Sequence, residues 1–564
     1  MKVEPVEDVP LLIAKFEEAG LSNLLDQHFH VHGNWEGPSF GTTTAVWLSY
    51  ILSCGEHRLS PVEDWAGERL HTLQACVGTT ALRPKHLSDD RLESILDYLS
   101  QAAAWDGFEK ALNQRLLQVY QLPSPQAVRL DTTLAQSFRQ AGGLFQEGYA
   151  KQRRADLPQI KAMLTTLDPM ALPLTVEVVG GERADDPLYL PAINKVQQSM
   201  PIEGLLFVGD KKMGSLETRA HIQGKGAYYL MPLSLNHCPE EQLLEYLAAR
   251  PAKLLHIEEE DAVGERSLKA RLFEVERGVE QRHEGQQWQE RRIVVHSTAW
   301  AQAQRASLDK RLAKAQAELG SLLQPRQGKK PPASQAEVAA MAAQILQKRQ
   351  AGAFLAVEVE ERQEPCTRRK YGSRPEQTLV KVHWEIRCQV RQEALEAHRE
   401  LLGWRTYATN APADRLSPVQ AVECYWQEYR IEQRFNDLLN KVTALMPIFL
   451  HKENRIVALV RLLVLALKFS TLIQHQARGE LEKTGQSLNE LYPGNPGRKT
   501  KKPTANLILS AFRGIALVFM ELPDGSSLVQ MTPLKPIHLT LLKLLGLSEV
   551  AYSNVSQFWK PESK

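Results

Sequence analysis

Ala127-Val128-Arg129-Leu130-Asp131-Thr132 is a short apolar run of strand character that ends on an acid, and its reading decides the fold. A second run, Phe207-Val208-Gly209-Asp210, has the same build, and Leu172 to Val179 and Tyr228 to Met231 are further strand-like runs. Together they predict an α/β region. A carboxylate at the end of a buried strand is held rigidly at the sheet margin, and two from neighbouring strands can share a divalent cation. Asp at a strand end is equally an ordinary turn or cap residue, so at this point Asp131 and Asp210 are open to both readings.

A third acid, Glu432, falls in apolar periodicity that predicts one helix from about Pro418 to Leu445. At roughly 100° per residue, Tyr425 and Leu439 lie about 20° to either side of Glu432 and Tyr429 about 60° away. Glutamate on such a stripe is either the buried partner of a base or a ligand aimed at a site. Arg430 and Lys441 fall about 160° and 180° from it, on the opposite face.

Upstream, residues 1–122 read as a small all-helical domain: an apolar run Ala45 to Leu52, then Leu87-Ser88-Asp89-Asp90 followed by Leu92, Ile95, Leu96 and Leu99 at helical spacing. Residues 123–232 form the first part of the α/β core. Residues 233–417 read as a mixed α+β insertion. Leu308, Leu312, Leu319 and Leu322 mark one helix, and Ser334-Gln335-Ala336-Glu337 opens a second with capping-box spacing, making a hairpin. Strand-like runs Arg291 to His296 and Leu379 to Val390 flank it. Residues 418–480 complete the core with the Glu432 helix, and 481–564 form a basic helical region. Ile456 to Ile473 is apolar over nearly a membrane-spanning length, but Arg461 and Lys468 inside it carry a penalty of about 2.5 kcal/mol or more each, so a buried core helix is expected and no membrane.

The chain has 564 residues, 43% hydrophobic and 24% charged, which excludes collagen-like, disordered and membrane-bundle classes. Six cysteines, Cys54, Cys76, Cys238, Cys366, Cys388 and Cys424, contain no CxxC pair, which argues against a disulfide framework or zinc ribbon and for a reducing compartment. The first residues lack a secretory pattern, and a cytoplasmic protein is expected. No GxxxxGK[ST] loop is present, so no nucleotide cofactor is expected. Net charge is +2, but residues 1–124 carry −8 and residues 441–564 carry +8. A polyanion therefore meets the C-terminal end first, unless the two signs are only solvated faces. Lys211 and Lys212 after Asp210, the cluster Arg368, Arg369 and Lys370, and the run Arg498, Lys499, Lys501 and Lys502 suit phosphate contact without base specificity.

These motifs resemble the DDE transposases of bacterial insertion sequences, in the subgroup whose RNase H-like core is interrupted by a large insertion before the last acid. The resemblance rests on Asp131-Thr132-Thr133, Ser137-Phe138, Gly148-Tyr149-Ala150-Lys151, Arg154-Ala155-Asp156-Leu157-Pro158-Gln159, Val208-Gly209-Asp210 with Ser215, and Met446-Pro447-Ile448-Phe449. The family's signature of Tyr, two residues, Arg, three residues, Glu, six residues, Lys is met by Tyr425 and Glu432. Glu428 and Leu439 stand at the Arg and Lys positions. The resemblance implies that Asp131, Asp210 and Glu432 are catalytic and hold two Mg²⁺ ions, with Mn²⁺ as substitute. It implies cleavage of double-stranded DNA at terminal inverted repeats and strand transfer into target DNA, by a homodimer in the DNA complex. Lys151, Arg154, Lys211, Lys212 and Tyr425 would contact that DNA, in a nucleoid-associated bacterial protein. A transposase-derived DNA-binding protein and a structure-selective RNase H-like nuclease are the alternatives.

Overall fold

A computed structural model describes residues 2–122, 127–138, 140–148, 156–260, 266–324, 332–368, 377–521 and 527–558. The chain begins with strand β1 (Lys2–Pro5) and then helices α1 (Val9–Glu18), α2 (Leu21–His28), α3 (Phe40–Cys54), α4 (Pro61–Glu68), α5 (Leu70–Val77), α6 (Asp89–Leu99) and α7 (Ala102–Val119). Ser39 caps α3 by accepting from the Thr42 amide. A Cβ at Gly41 would collide with the Ser22 carbonyl, so only glycine lets α3 cross α2 this closely.

The core follows as β2 (Ala127–Gln136), β3 (Gln159–Leu167), β4 (Leu172–Gly180), α8 (Tyr189–Ser199), β5 (Leu206–Gly209), α9 (Leu216–Gly224) and β6 (Tyr228–Pro232). The next stretch holds α10 (Glu240–Ala248), β7 (Leu255–Glu260), β8 (Arg266–Glu274), β9 (Val279–His283), β10 (Gln286–Ser297), α11 (Thr298–Gly320) and α12 (Gln335–Arg349). It continues through the ribbon β11 (Leu355–Arg368) and β12 (Gln377–Val390), then α13 (Gln392–Leu401) and β13 (Trp404–Thr409). The last part is helical around one hairpin: α14 (Pro418–Trp426), α15 (Tyr429–Asn436), α16 (Glu453–Thr484), α17 (Ala505–Ser510), β14 (Ala516–Glu521), β15 (Ser527–Met531), α18 (Pro536–Leu544) and α19 (Val550–Phe558).

One ten-stranded sheet in the order β4-β3-β2-β5-β6-β13-β10-β8-β7, with β9 on β10, runs through both the core and the expected insertion. β2 pairs antiparallel with β3 and parallel with β5, and β5 is parallel to β6. The insertion is thus mixed, as expected, but its strands β7 to β10 and β13 extend the core sheet, while β11 and β12 pair with each other in a separate ribbon. Its helical hairpin forms, with Leu308, Leu312 and Leu319 buried and Ser334 capping α12.

Two expectations need correction. The N-terminal region is not all helical, because β1 pairs with β14 of the C-terminal hairpin, which itself interrupts the expected helical end. The expected helix from Pro418 to Leu445 is two helices, α14 and α15, broken at Gln427 and Glu428 and followed by a π turn at Asp437–Lys441. Apolar periodicity carries across a short break, which is why the sequence reads as continuous.

The apolar run is buried within α16, where all residues from Ala458 to Ile473 are buried. Its side chains share one core with those of α1 to α7, the face of β3 and β4, and α17 to α19. Its two cations are both bonded inside. Arg461 donates to the carbonyls of Leu99 and Ser100 at 2.9 and 3.1 Å, at the C-terminal end of α6 where a cation is favoured. Lys468 donates to Asn113 Oδ1 at 2.6 Å and Leu174 O at 3.3 Å, joining α16 to α7 and β4. Burial pushes the Lys468 ammonium down and the nearby Glu109 carboxyl up, each charge opposing the other's shift. Lys468→Ala removes the cation from this interior, and chemical denaturation is expected to show a loss of about 3 kcal/mol or more.

Candidate active site

Arg129, Asp131 and Thr133 share one face of β2, because side chains alternate along a strand. The parallel register pairs Ala127 with Leu206 through Leu130 with Gly209. Asp131 on β2 and Asp210 just past the end of β5 each follow this last pair, and neighbouring strands run about 4.8 Å apart, so the two acids come side by side. Asp131 is mid-strand, not at a strand end: β2 continues to Gln136 on its β3 side while β5 stops at Gly209. The gap left by β5 opens the sheet beside Asp131.

Asp210 caps the short turn Lys211–Gly214, accepting from the Lys212 amide at 2.8 Å through Oδ1. The buried Tyr189 hydroxyl donates to the same oxygen at 2.7 Å. Asp131 Oδ1 accepts from the Thr132 amide at 2.7 Å. Thr132 also donates to Asp185 Oδ1 at 3.2 Å, which accepts from Lys161 at 2.7 Å. Lys211 and Lys212 are exposed, and the Lys212 ammonium lies 3.6 Å from Asp186. Ser215 caps α9 and bonds Thr218, so its local role is structural.

Arg129 ties the Glu-bearing segment to this strand. Its guanidinium donates to Asp168 Oδ2 and to the Cys424 carbonyl, each at 2.8 Å, near the C-terminal end of α14. α15 then packs against β2. Glu428, at the break between the helices, carries a carboxyl pushed up by burial and by the charges of Glu432 and Asp210, against a lowering hydrogen bond from Tyr425. Glu432 itself is exposed, and Leu439 is a core residue. Among the described residues no three His, Cys, Asp or Glu side chains are gathered closely enough to hold a metal ion. Arg430 faces away from the acids, 3.9 Å from Asp168, on a separate cleft of about 620 Å³ with Arg415 and Gln427. The π turn takes Leu439 and Lys441 out of the single helical wheel expected for this segment.

A cleft of about 1000 Å³ lies beside Asp210, lined by Lys211, Lys212, His237, Trp300, Trp404, Arg405 and Tyr425. Tyr425 is buried, its ring 4.8 Å from that of Tyr407, and it forms part of the cleft wall. The Arg405 guanidinium stacks 3.9 Å over the Trp300 ring. Sequence reasoning passed over Trp300, Trp404 and Arg405 because they lie far apart in a stretch read only for helices and strands. Arg498 stacks on Tyr492 at 4.1 Å, and Lys499, Lys501 and Lys502 are exposed. Lys151, Arg154, Arg369 and Lys370 lie outside the described residues, as does the side chain of Arg368.

The fold and the paired aspartates define a carboxylate site at the margin of an α/β sheet. A transposase DDE domain matches residues 126–469, and the chain belongs to that family, whose chemistry is phosphoryl transfer on DNA with divalent metal. The order β4-β3-β2-β5-β6 is consistent with its RNase H-like core. No curated protein matches the chain. Among solved structures, the piggyBac transposase synaptic complex with hairpin DNA is similar at 11% identity and a TM-score of 0.24, over 48% of this chain and 60% of that one. That likeness is too slight to define the fold.

Two substitutions separate the joint from its surroundings. Arg129→Met leaves the buried Asp168 with only the more distant Arg430, and denaturation is expected to show a loss of about 3 kcal/mol or more. Arg430→Ala removes only a partly exposed ion pair, and the same measurement should show less than about 1 kcal/mol.

Proposed function

We propose that this chain is the transposase of a bacterial insertion sequence, cutting DNA at the element's inverted repeats and joining the freed ends to target DNA. The placement of Asp131 and Asp210 directly after the last shared pair of two adjacent parallel strands, in a DDE-family chain, is the observation that carries this reading. Hard oxygen donors of this kind suit Mg²⁺ and Mn²⁺. Asp131 and Asp210 would hold the metal; Glu432, on the segment that Arg129 docks, is not gathered with them and is the third acid only by the family resemblance. Bound Mg²⁺ ions would supply activation of a water or 3′-hydroxyl and stabilisation of the leaving oxygen. The chain's own residues do the rest: Lys211 and Lys212 offer charge to the phosphate next to Asp210, and the Tyr425-walled cleft beside it receives the DNA. Arg498 to Lys502 supply non-specific phosphate contacts. Cutting both ends calls for two copies in the DNA complex, in a cytoplasmic, nucleoid-associated protein.

Full-length protein with its end DNA should nick only with Mg²⁺ or Mn²⁺. Asp131→Asn, Asp210→Asn and Glu432→Gln should each abolish nicking while DNA binding persists; undiminished nicking by any one removes that residue from the site. The exposed position of Glu432 favours, as a second reading, a chain that binds element ends without cutting. Binding with no metal-dependent nicking by the wild type would select it.

Charge reversal across Arg498, Lys499, Lys501 and Lys502 is expected to weaken non-specific DNA binding and flatten its salt dependence. An unchanged slope of binding against salt concentration would remove this segment from the DNA surface.

A further inference from the structure

Tyr189 belongs to no motif in the sequence, yet it is the first residue of α8 and its ring is buried at 1% exposure. Its hydroxyl donates to Asp210 Oδ1 at 2.7 Å, and the Lys212 amide donates to the same atom at 2.8 Å. Two donors on one oxygen fix the plane of the carboxylate. Oδ2 is then the oxygen left to accept a cation, since an ionised carboxylate has acceptor sites on both oxygens.

The approach of the phenol depends on Gly209. A Cβ there would lie 2.8 Å from Met213 Sδ and 3.2 Å from Tyr189 Cε1, so a larger residue would press on the thioether first and also crowd the ring. Asp185 lies just before the turn that leads into α8, and it is held by Lys161 of β3 and Thr132 of β2, the neighbour of Asp131. One end of one helix is therefore braced against both aspartate-bearing strands.

We propose that Tyr189 is a positioning residue that turns Oδ2 of Asp210 toward the divalent cation. This rests on the reading of Asp131 and Asp210 as metal ligands. Groups that orient a ligand in this way are worth about 10-fold to 100-fold in metal affinity.

The test is a titration of full-length protein with Mn²⁺, followed by the electron paramagnetic resonance signal of the free ion. Wild type, Tyr189→Phe and Asp210→Asn are compared, with circular dichroism as the check on folding. Tyr189→Phe removes only the hydroxyl from a buried ring, and it is expected to stay folded and bind Mn²⁺ about tenfold more weakly or worse, with Asp210→Asn at least as weak. Wild-type affinity in Tyr189→Phe alongside weak binding by Asp210→Asn overturns the role of Tyr189 and leaves the metal reading standing. Wild-type affinity in Asp210→Asn overturns both. An unfolded Tyr189→Phe protein would mark the hydroxyl as structural and also overturn the proposal.

Discussion

The parallel register of β2 on β5 is the constraint on which the rest depends. It fixes Asp131 and Asp210 as the residues beyond the last shared pair, Leu130 with Gly209, and any slip of one residue would turn one of the carboxylates to the other face of the sheet. β3 keeps β2 extended past the point where β5 ends, which leaves room beside Asp131 without loosening it. Arg129, two residues before Asp131 on the same face, then bonds the carbonyl of Cys424 and so positions the segment that carries Glu428 and Glu432. Strand pairing and one buried guanidinium thus place three stretches of chain that are far apart in sequence.

The two ends of the chain are joined by the same economy of buried polar groups. Arg461 and Lys468, the residues that make α16 a poor membrane span, are the ones that fasten it to α6, α7 and β4. Arg455 of α16 pairs with Asp97 of α6 at 2.7 Å and with Glu93. Part of the opposite charge of the two ends is therefore spent on holding them together. Arg498, Lys499, Lys501 and Lys502 are among the cations of this segment that stay exposed.

Much of the core was legible because its strands are apolar runs bounded by turns: β2, β4, β5, β6 and β10 all stand where the sequence predicts them. β3 was missed. Gln159 to Leu167 is buried along its whole length and so has no alternation, and its Lys, Ala, Met and Leu residues do not favour strand. The break between α14 and α15 was missed because a turn of a few residues leaves the apolar spacing almost in phase. The neighbouring placement of Asp131 and Asp210 was legible from their two strand-like runs, although the strand end expected at Asp131 is not there, because β3 keeps β2 paired to Gln136. Tyr189 was not, because its link to Asp210 exists only once α8 has packed beside the end of β5. The Arg and Lys that the family signature calls for are absent here, and the structure accounts for one of them: Leu439 belongs to the core.

The central claim is that Asp131 and Asp210 together hold a divalent cation. Anomalous X-ray scattering from crystals of the full-length protein with end DNA and Mn²⁺ tests it most directly. The account predicts a manganese peak bonded to carboxylate oxygens of both aspartates, at about 2.1–2.2 Å as for small hard cations. A manganese peak held by other residues, with neither aspartate in its coordination sphere, would contradict it.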